Sequence, residues 1–366
     1  MENIGSTVLS ILEFVLAFGV LIFLHEFGHF LFARINKIEV EEFGLGFPLG
    51  DKKLKLFTAG GTDFTLNWIP FGGFCRMKGE SGDTTEPGSF LAAPPFRRLT
   101  TLLGGPVTNL LLGMFIIAYL FTRTGAPDFS KVQVAAIEPG TPAAQSLMQV
   151  GDTILKVNDS EIGSMTALST EITKNLGNPV EIVLLRDGEE IKTTVTPRKD
   201  YPEGQGPLGI TIANPTVKLG FIQALPMALS STVDQGVQLV MLPVRLISGQ
   251  IAPSDARMVS VKGIYDMYAQ VQTIDKEEAS QNPEMAGLNT LYFLAIISIA
   301  LGYTNLLPIP ALDGGRILFL IPEFLFKKRV RPELEGRIHM IAFAVLMAVM
   351  VVLIINDILN PIVLAK

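Results

Sequence analysis

Four long apolar stretches restrict the folds open to this chain more than any other feature. They run over residues 7–35, 99–121, 288–321 and 338–355. Crossing the hydrocarbon of a bilayer takes about 20 mainly apolar residues, and all four are near that length or longer. Charged residues make up 17% of the 366-residue chain, against about 25% in ordinary soluble domains. The deficit lies in the four stretches, whereas residues 125–216 read as a water-facing domain. The pattern predicts a multi-pass α-helical membrane protein with four transmembrane helices.

Charge placement orients it. Arg34, Lys37, Lys52, Lys53, Lys55, Arg76, Lys78, Arg97 and Arg98 lie between the first two spans; Lys327, Lys328, Arg329, Arg331 and Arg337 lie between the last two. With four spans both loops share one side, and short basic loops favour the cytoplasm. The N-terminus, the large middle region and the C-terminus then face outward. The net charge of −6 gives no reason to expect nucleic acid as a partner. Cys75 is the single cysteine, so no disulfide forms within the chain. The first stretch lacks a basic n-region and is too long for a cleaved signal peptide.

Local patterning divides the chain into a first transmembrane helix (1–36), a membrane-associated β segment with a loop (37–97), a second transmembrane helix (98–123), a soluble α+β module (125–212), an amphipathic helical linker region (217–286), a third transmembrane helix (288–321) and a fourth (338–357). Alternation in 53–57 and 63–66 predicts short strands, with Gly60-Gly61 as the turn between them. In the module, β-rich runs at 132–137, 153–157, 180–185 and 191–195 surround a helical stretch at 165–175. Residues 219–248 predict an amphipathic helix on the membrane surface or packed on the soluble module. The polar run 266–285 reads as a linker or short helix.

His25-Glu26-Phe27-Gly28-His29 fits H-E-x-x-H. On a helix, positions i and i+4 share a face, so both imidazoles reach one ion while Glu26 sits beside them as a general base. Two imidazoles and a carboxylate suit zinc, with a fourth position left for water. Ionisable groups within a span are costly and usually functional; the plainer alternative is that these residues cap or snorkel at a helix end. A third ligand has to come from elsewhere. Asp313, in Asn305-Leu306-Leu307-Pro308-Ile309-Pro310-Ala311-Leu312-Asp313-Gly314-Gly315, is the best placed, and an N-cap for the helix that follows is an equal reading of it. His339, the third histidine, reads as an interface residue at the start of span four with no ligand role.

With these motifs in place the chain resembles the site-2 protease family, peptidase M50, and within it the bacterial regulator-of-sigma-E protease group. The resemblance rests on H-E-x-x-H in the first span and on residues 305–314 in the third. It is supported by Phe43-Gly44-Leu45-Gly46-Phe47-Pro48, by residues 69–77 and by Gly104-Gly105-Pro106-Val107-Thr108-Asn109. Residues 139–144 and 150–158 look like part of a PDZ domain. The resemblance implies that His25, His29 and Asp313 bind Zn2+ and that Glu26 is the catalytic base. It implies that Asn305, Pro308 and Pro310 hold substrate or stabilise the oxyanion, and that Gly44 and Gly46 belong to a strand that pairs with unwound substrate. The implied substrates are single-span membrane proteins such as an anti-sigma factor or a signal-peptide remnant. The implied location is the inner or plasma membrane of a bacterium, in contact with lipid. The PDZ domain would lie on the outer side, as a peptide contact or a size filter, and the active site toward the cytoplasm. The chain departs from the group in having room for one PDZ domain and in lacking Ser-Gly-Pro ahead of span three, where Met258 to Ile264 stand. Two other classes compete. A catalytically silent scaffold that binds partner termini would not need every ligand and the base. A transporter with broken helices would need no H-E-x-x-H.

Overall fold

A computed structural model describes residues 4–47, 53–80, 84–202, 205–252 and 257–363. Pro48 of the Phe43–Pro48 motif, Lys52 and residues 81–83 of the 79–95 loop lie outside these. The chain divides into two compact units, residues 119–224 and the remainder on either side.

The larger unit opens with α1 (Ile4–Ile35), followed by β1 (Val40–Phe47), β2 (Lys53–Ala59), β3 (Thr62–Asn67) and β4 (Ile69–Met77). The strands form one sheet in the order β2-β3-β1-β4. The β2–β3 hairpin turns at Gly60 and Gly61, both at positive φ, as the alternation predicts. β1 is an interior strand, parallel to β3 and antiparallel to β4. Its buried Glu42 ion-pairs with Lys53 of β2 at 2.7 Å and with Arg76 of β4, and accepts a hydrogen bond from Thr65 Oγ of β3 at 2.8 Å. One carboxylate thus ties all four strands, and a buried charge needs such partners. Phe43 of β1 meets Phe23 and Phe30 of α1 edge-on at 5.5 and 5.4 Å, which seats the sheet on the helix.

α2 (Pro95–Thr124) crosses α1 at a glycine contact. A Cβ on Gly28 would stand 2.3 Å from Gly104 O, and one on Gly104 would stand 2.6 Å from Gly28 O. Only small residues let two membrane helices approach so closely.

The smaller unit holds β5 (Ala126–Pro127), β6 (Val132–Ile137), β7 (Thr153–Val157), β8 (Ser160–Glu161), α3 (Met165–Lys174), β9 (Val180–Arg186), β10 (Glu189–Val195), β11 (Ile210–Ala213) and β12 (Thr216–Val217). The main sheet runs β10-β9-β7-β6-β11. Its core includes Val132, Ile154, Val157, Val180, Ile182 and Leu184. Ser164 caps α3 by accepting from Ala167 N at 3.1 Å, and Leu168 and Ile172, four apart, turn into that core. Apart from the short strands β5, β8, β11 and β12, the elements match the sequence reading to within two residues.

The chain then returns to the larger unit through α4 (Phe221–Ile247), α5 (Val261–Gln281), α6 (Leu288–Leu306), α7 (Asp313–Phe326) and α8 (Pro332–Leu359). Among the described residues four helical segments are long and apolar enough to cross a membrane: Thr7–Ile35, Pro95–Thr124, Pro283–Leu306 and Pro332–Leu359. Stretch 288–321 is therefore not one helix. It breaks between Leu306 and Asp313, where Pro308 and Pro310 lack the amide protons a helix requires. α4 is the continuous helix expected over 219–248. Its Gly236 lies against the Tyr303 ring of α6, so it packs on the membrane-helix unit. The polar run belongs to a longer helix, α5, whose Tyr268 packs on Phe14 of α1 and Phe293 of α6 at 5.5 and 6.4 Å. Asp357 of α8 receives Ser260 N, Ser260 Oγ and Arg257 at 2.8, 2.6 and 2.7 Å, fastening the start of α5 to the end of α8.

Candidate metal centre

α1 brings His25 and His29 to one face, one turn apart, with Glu26 beside them. The two Nε2 atoms lie 3.3 Å apart, and Oδ2 of Asp313 lies 3.2 Å from His25 Nε2 and 3.3 Å from His29 Nε2. Among the described residues these three make the one cluster able to hold a metal ion. Ligands at about 2.0–2.1 Å from a tetrahedral zinc stand about 3.3–3.4 Å from one another. The triangle of donor atoms has that size. Asp313 Oδ2 is buried and has no hydrogen-bond partner, a costly state for an acceptor unless a cation meets it.

The local chain explains how Asp313 arrives. Leu312 occupies the N-cap of α7 and Asp313 is its first helical residue, so the carboxylate turns to the imidazoles and does not cap. A Cβ on Gly314 would stand 2.2 Å from Leu307 O, and one on Gly315 would stand 2.4 Å from Ile309 O. The paired glycines let α7 start against the backbone of the preceding segment. Ala311 has a φ of 81°, and its N–H donates to Nδ1 of His339 at 2.7 Å.

α2 orients the imidazoles. His29 Nδ1–H donates to Thr101 O at 3.0 Å, which leaves the Nε2 lone pair for an ion. Asn109 stands 3.4 Å from His25 Nδ1, with its carbonyl oxygen buried and unpartnered as oriented. Turning the carboxamide over, which exchanges its oxygen and nitrogen, gives Nδ1–H an acceptor and satisfies that oxygen. Gly105 faces the ring nitrogens, and a Cβ there would stand 2.4 Å from His29 Nε2.

The three donors and Glu26 line a cavity of about 260 Å³, together with Asn305 and Glu80. Asn305 donates to Leu301 O within its own helix at 3.0 Å. Pro308 and Pro310 shape the break that carries Asp313 but do not line the cavity. Gly44 and Gly46 lie on the interior strand, with β4 between them and the sheet's edge. The end strand nearer Glu26 is β4: the Cβ position of Gly73 is 3.4 Å from Glu26 Cγ. A second cavity, of about 460 Å³, adjoins the first, and the Arg316–Glu80 ion pair lines both.

Thr101, Gly105, Asn109 and His339 take part in this arrangement without having been singled out for it. Polar residues in apolar stretches were the available signal, since such groups need partners.

A model of peptidase family M50 matches residues 13–349 of the chain. A Clostridium acetobutylicum protein named as a candidate zinc metalloprotease is 32% identical over 353 residues, covering 95% of this chain and 97% of its own. The zinc metalloprotease RasP of Oceanobacillus iheyensis and the regulator of sigma-W protease RasP of Bacillus subtilis are each 26% identical, covering 95% of this chain and 98% of theirs.

Proposed function

This chain belongs to peptidase family M50, the zinc metalloprotease family of site-2 proteases, and we propose that it hydrolyses peptide bonds in or near the transmembrane segments of single-span proteins. The observation that carries this reading is the 3.2–3.3 Å triangle of His25, His29 and Asp313 donors, two of them on a helix long enough to span a bilayer. His25, His29 and Asp313 would hold zinc. When bound, that ion supplies a Lewis acid and lowers the pKa of its water toward about 7. Glu26 takes the proton of the attacking water and later gives it to the leaving amine. Asn305, by releasing its bond to Leu301 O, can offer its amide to the developing oxyanion; Pro308 and Pro310 act indirectly, by fixing the segment ahead of Asp313.

A membrane-spanning helix hides its scissile carbonyl in its own hydrogen bonds, so substrate has to unwind before it is cut. Strand addition satisfies the freed groups. Because β1 has neighbours on both sides, the strand offered is β4, beside Glu26. Gly44 then contributes by leaving room for the Phe74 ring of β4, and Gly46, at φ 79°, by allowing the irregularity in the β1–β4 pairing.

The smaller unit is read as a PDZ domain acting as a size filter or peptide contact on the outer side of a bacterial inner membrane, with the basic loops and the active site toward the cytoplasm. The Bacillus subtilis relative is named a regulator of sigma-W protease, and an anti-sigma factor or a signal-peptide remnant fits the proposed substrate class.

The test pairs metal analysis with Glu26→Gln in the purified full-length protein. The expected result is one zinc per chain in both forms, and cleavage of a single-span substrate in the wild type alone. A variant that cuts as fast as the wild type, or a folded wild type that takes up no zinc, would overturn the proposal. A single-span fragment accumulating in membranes of Glu26→Gln cells would name the substrate.

A further inference from the structure

We propose that His339 is a positioning residue for the metal centre: from α8 it holds the left-handed turn at Ala311 that delivers Asp313 to the two imidazoles. The inference rests on the reading of His25, His29 and Asp313 as metal ligands.

Ala311 sits at φ 81°, a conformation that glycine adopts freely and an alanine adopts only under constraint. It is two residues ahead of Asp313, close enough that a change in its backbone rotates the carboxylate. Local bonds hold the rest of the segment: Ile309 N donates to Leu307 O at 2.7 Å and Leu312 N to Ile309 O at 3.1 Å. The Ala311 N–H finds its acceptor elsewhere, at Nδ1 of His339, 2.7 Å away and 28 residues on. An amide nitrogen only donates, so Nδ1 presents its lone pair and the ring proton sits on Nε2.

The ring is itself held. It packs against Phe319 of α7 with centroids 5.4 Å apart. Its side chain is 17% exposed; Nε2 is buried without a hydrogen-bond partner, 4.0 Å from Glu335 Oε1, and both residues line the larger cavity. His339 therefore joins three pieces of the fold: the fourth span, the helix that begins with Asp313, and the strained residue ahead of it. Without its acceptor the Ala311 amide would be left unpaired in a part-buried place, which is costly. The turn would then be free to relax toward negative φ, and Asp313 would swing away from the imidazoles. Ligands are held in place by partners beyond the first contact, and losing one such partner lowers metal affinity about 10–100-fold.

The experiment compares full-length wild type, His339→Ala and His339→Asn, purified in detergent, stripped of metal and titrated with zinc against a competing chelator. Binding of cobalt, read by its ligand-field spectrum, reports the geometry of the donors. Asparagine places Oδ1 where histidine has Nδ1, so it keeps the acceptor. The expected result is a loss of zinc affinity of about 10–100-fold and an altered cobalt spectrum in His339→Ala, with His339→Asn returning to within a few-fold of wild type. His339→Leu, which keeps bulk without an acceptor, takes the place of His339→Ala if that variant does not fold. Wild-type affinity in the folded alanine or leucine form, or an asparagine form as weak as they are, would overturn the proposal. A wild type that binds neither zinc nor cobalt would instead overturn the assignment of the three ligands.

Discussion

Gly105 has no side chain for a reason visible at the centre itself. The space a methyl group would take lies 2.4 Å from His29 Nε2 and 2.8 Å from His25 Nε2, on the side the lone pairs face. Gly105→Ala is expected to fold, since alanine favours helix, and to lose zinc affinity by more than 100-fold in a chelator titration; affinity within three-fold of wild type would refute this. Asn109→Ala removes the partner of His25 Nδ1 and is expected to weaken zinc about 10-fold, with Asn109→Asp weakening it less because an acceptor remains. Equal losses in the two variants would argue against the carboxamide orientation described above. The H-E-x-x-H face was legible in the sequence because its geometry is local, two imidazoles one helical turn apart. Asp313 was legible as a donor type, but that it does not cap α7 follows from Leu312 holding the N-cap, which no local pattern reveals. Asn109 and His339 were harder still. Each is a single polar residue whose partner lies on another helix or on the segment ahead of α7.

Elements show the same divide between near and far. The longer strands of the smaller unit, β6, β7, β9 and β10, could be placed within two residues because alternation is a property of each strand alone. The neighbours of β1 could not be foreseen: register and order are set by contacts across the sheet, and Gly44-Leu45-Gly46 reads the same in an edge strand as in an interior one. Stretch 288–321 carried its two prolines openly, yet a continuous apolar run hid the extent of the break. Two predictions belong at this scale. Gly28→Ala pushes a methyl group into the Gly104 carbonyl and should cost about 1–3 kcal/mol, the range for overpacking, seen as a lower midpoint in thermal unfolding of the detergent-solubilised protein. In the smaller unit, Asp152 is almost wholly buried and paired with Arg186 at 2.7 Å. Burial raises its pKa, but the Arg186 guanidinium and the Gln149 N–H outweigh burial and hold the carboxyl below its usual value. Its stabilisation is therefore present above about pH 4, the unfolded carboxylate value, and is lost as pH falls through the lower folded value. Unfolding of this unit between pH 2 and pH 5 should depend on pH less in Asp152→Asn than in wild type. An unchanged slope would show that the pair contributes nothing.

The whole molecule offers a test of orientation. Cys75 is buried, and burial among apolar neighbours pushes its thiol pKa up, with Glu26 and Glu80 adding to that, so an introduced cysteine should be the one that reacts. Lys192→Cys, on the smaller unit, is expected to react with an impermeant maleimide in intact cells, and Lys327→Cys only after permeabilisation. The reverse pattern would invert the proposed topology. The order of the donors along the chain has a further consequence for how the protein is made. His25 and His29 leave the ribosome early, and Asp313 follows roughly 280 residues later. At about 5–20 residues per second, that delay is on the order of 15–60 s. Throughout it the nascent chain carries two donors of three and cannot close its centre. On the proposed ligand set, loading with metal is therefore a late step of biogenesis, because the third donor arrives only after the third span has been made.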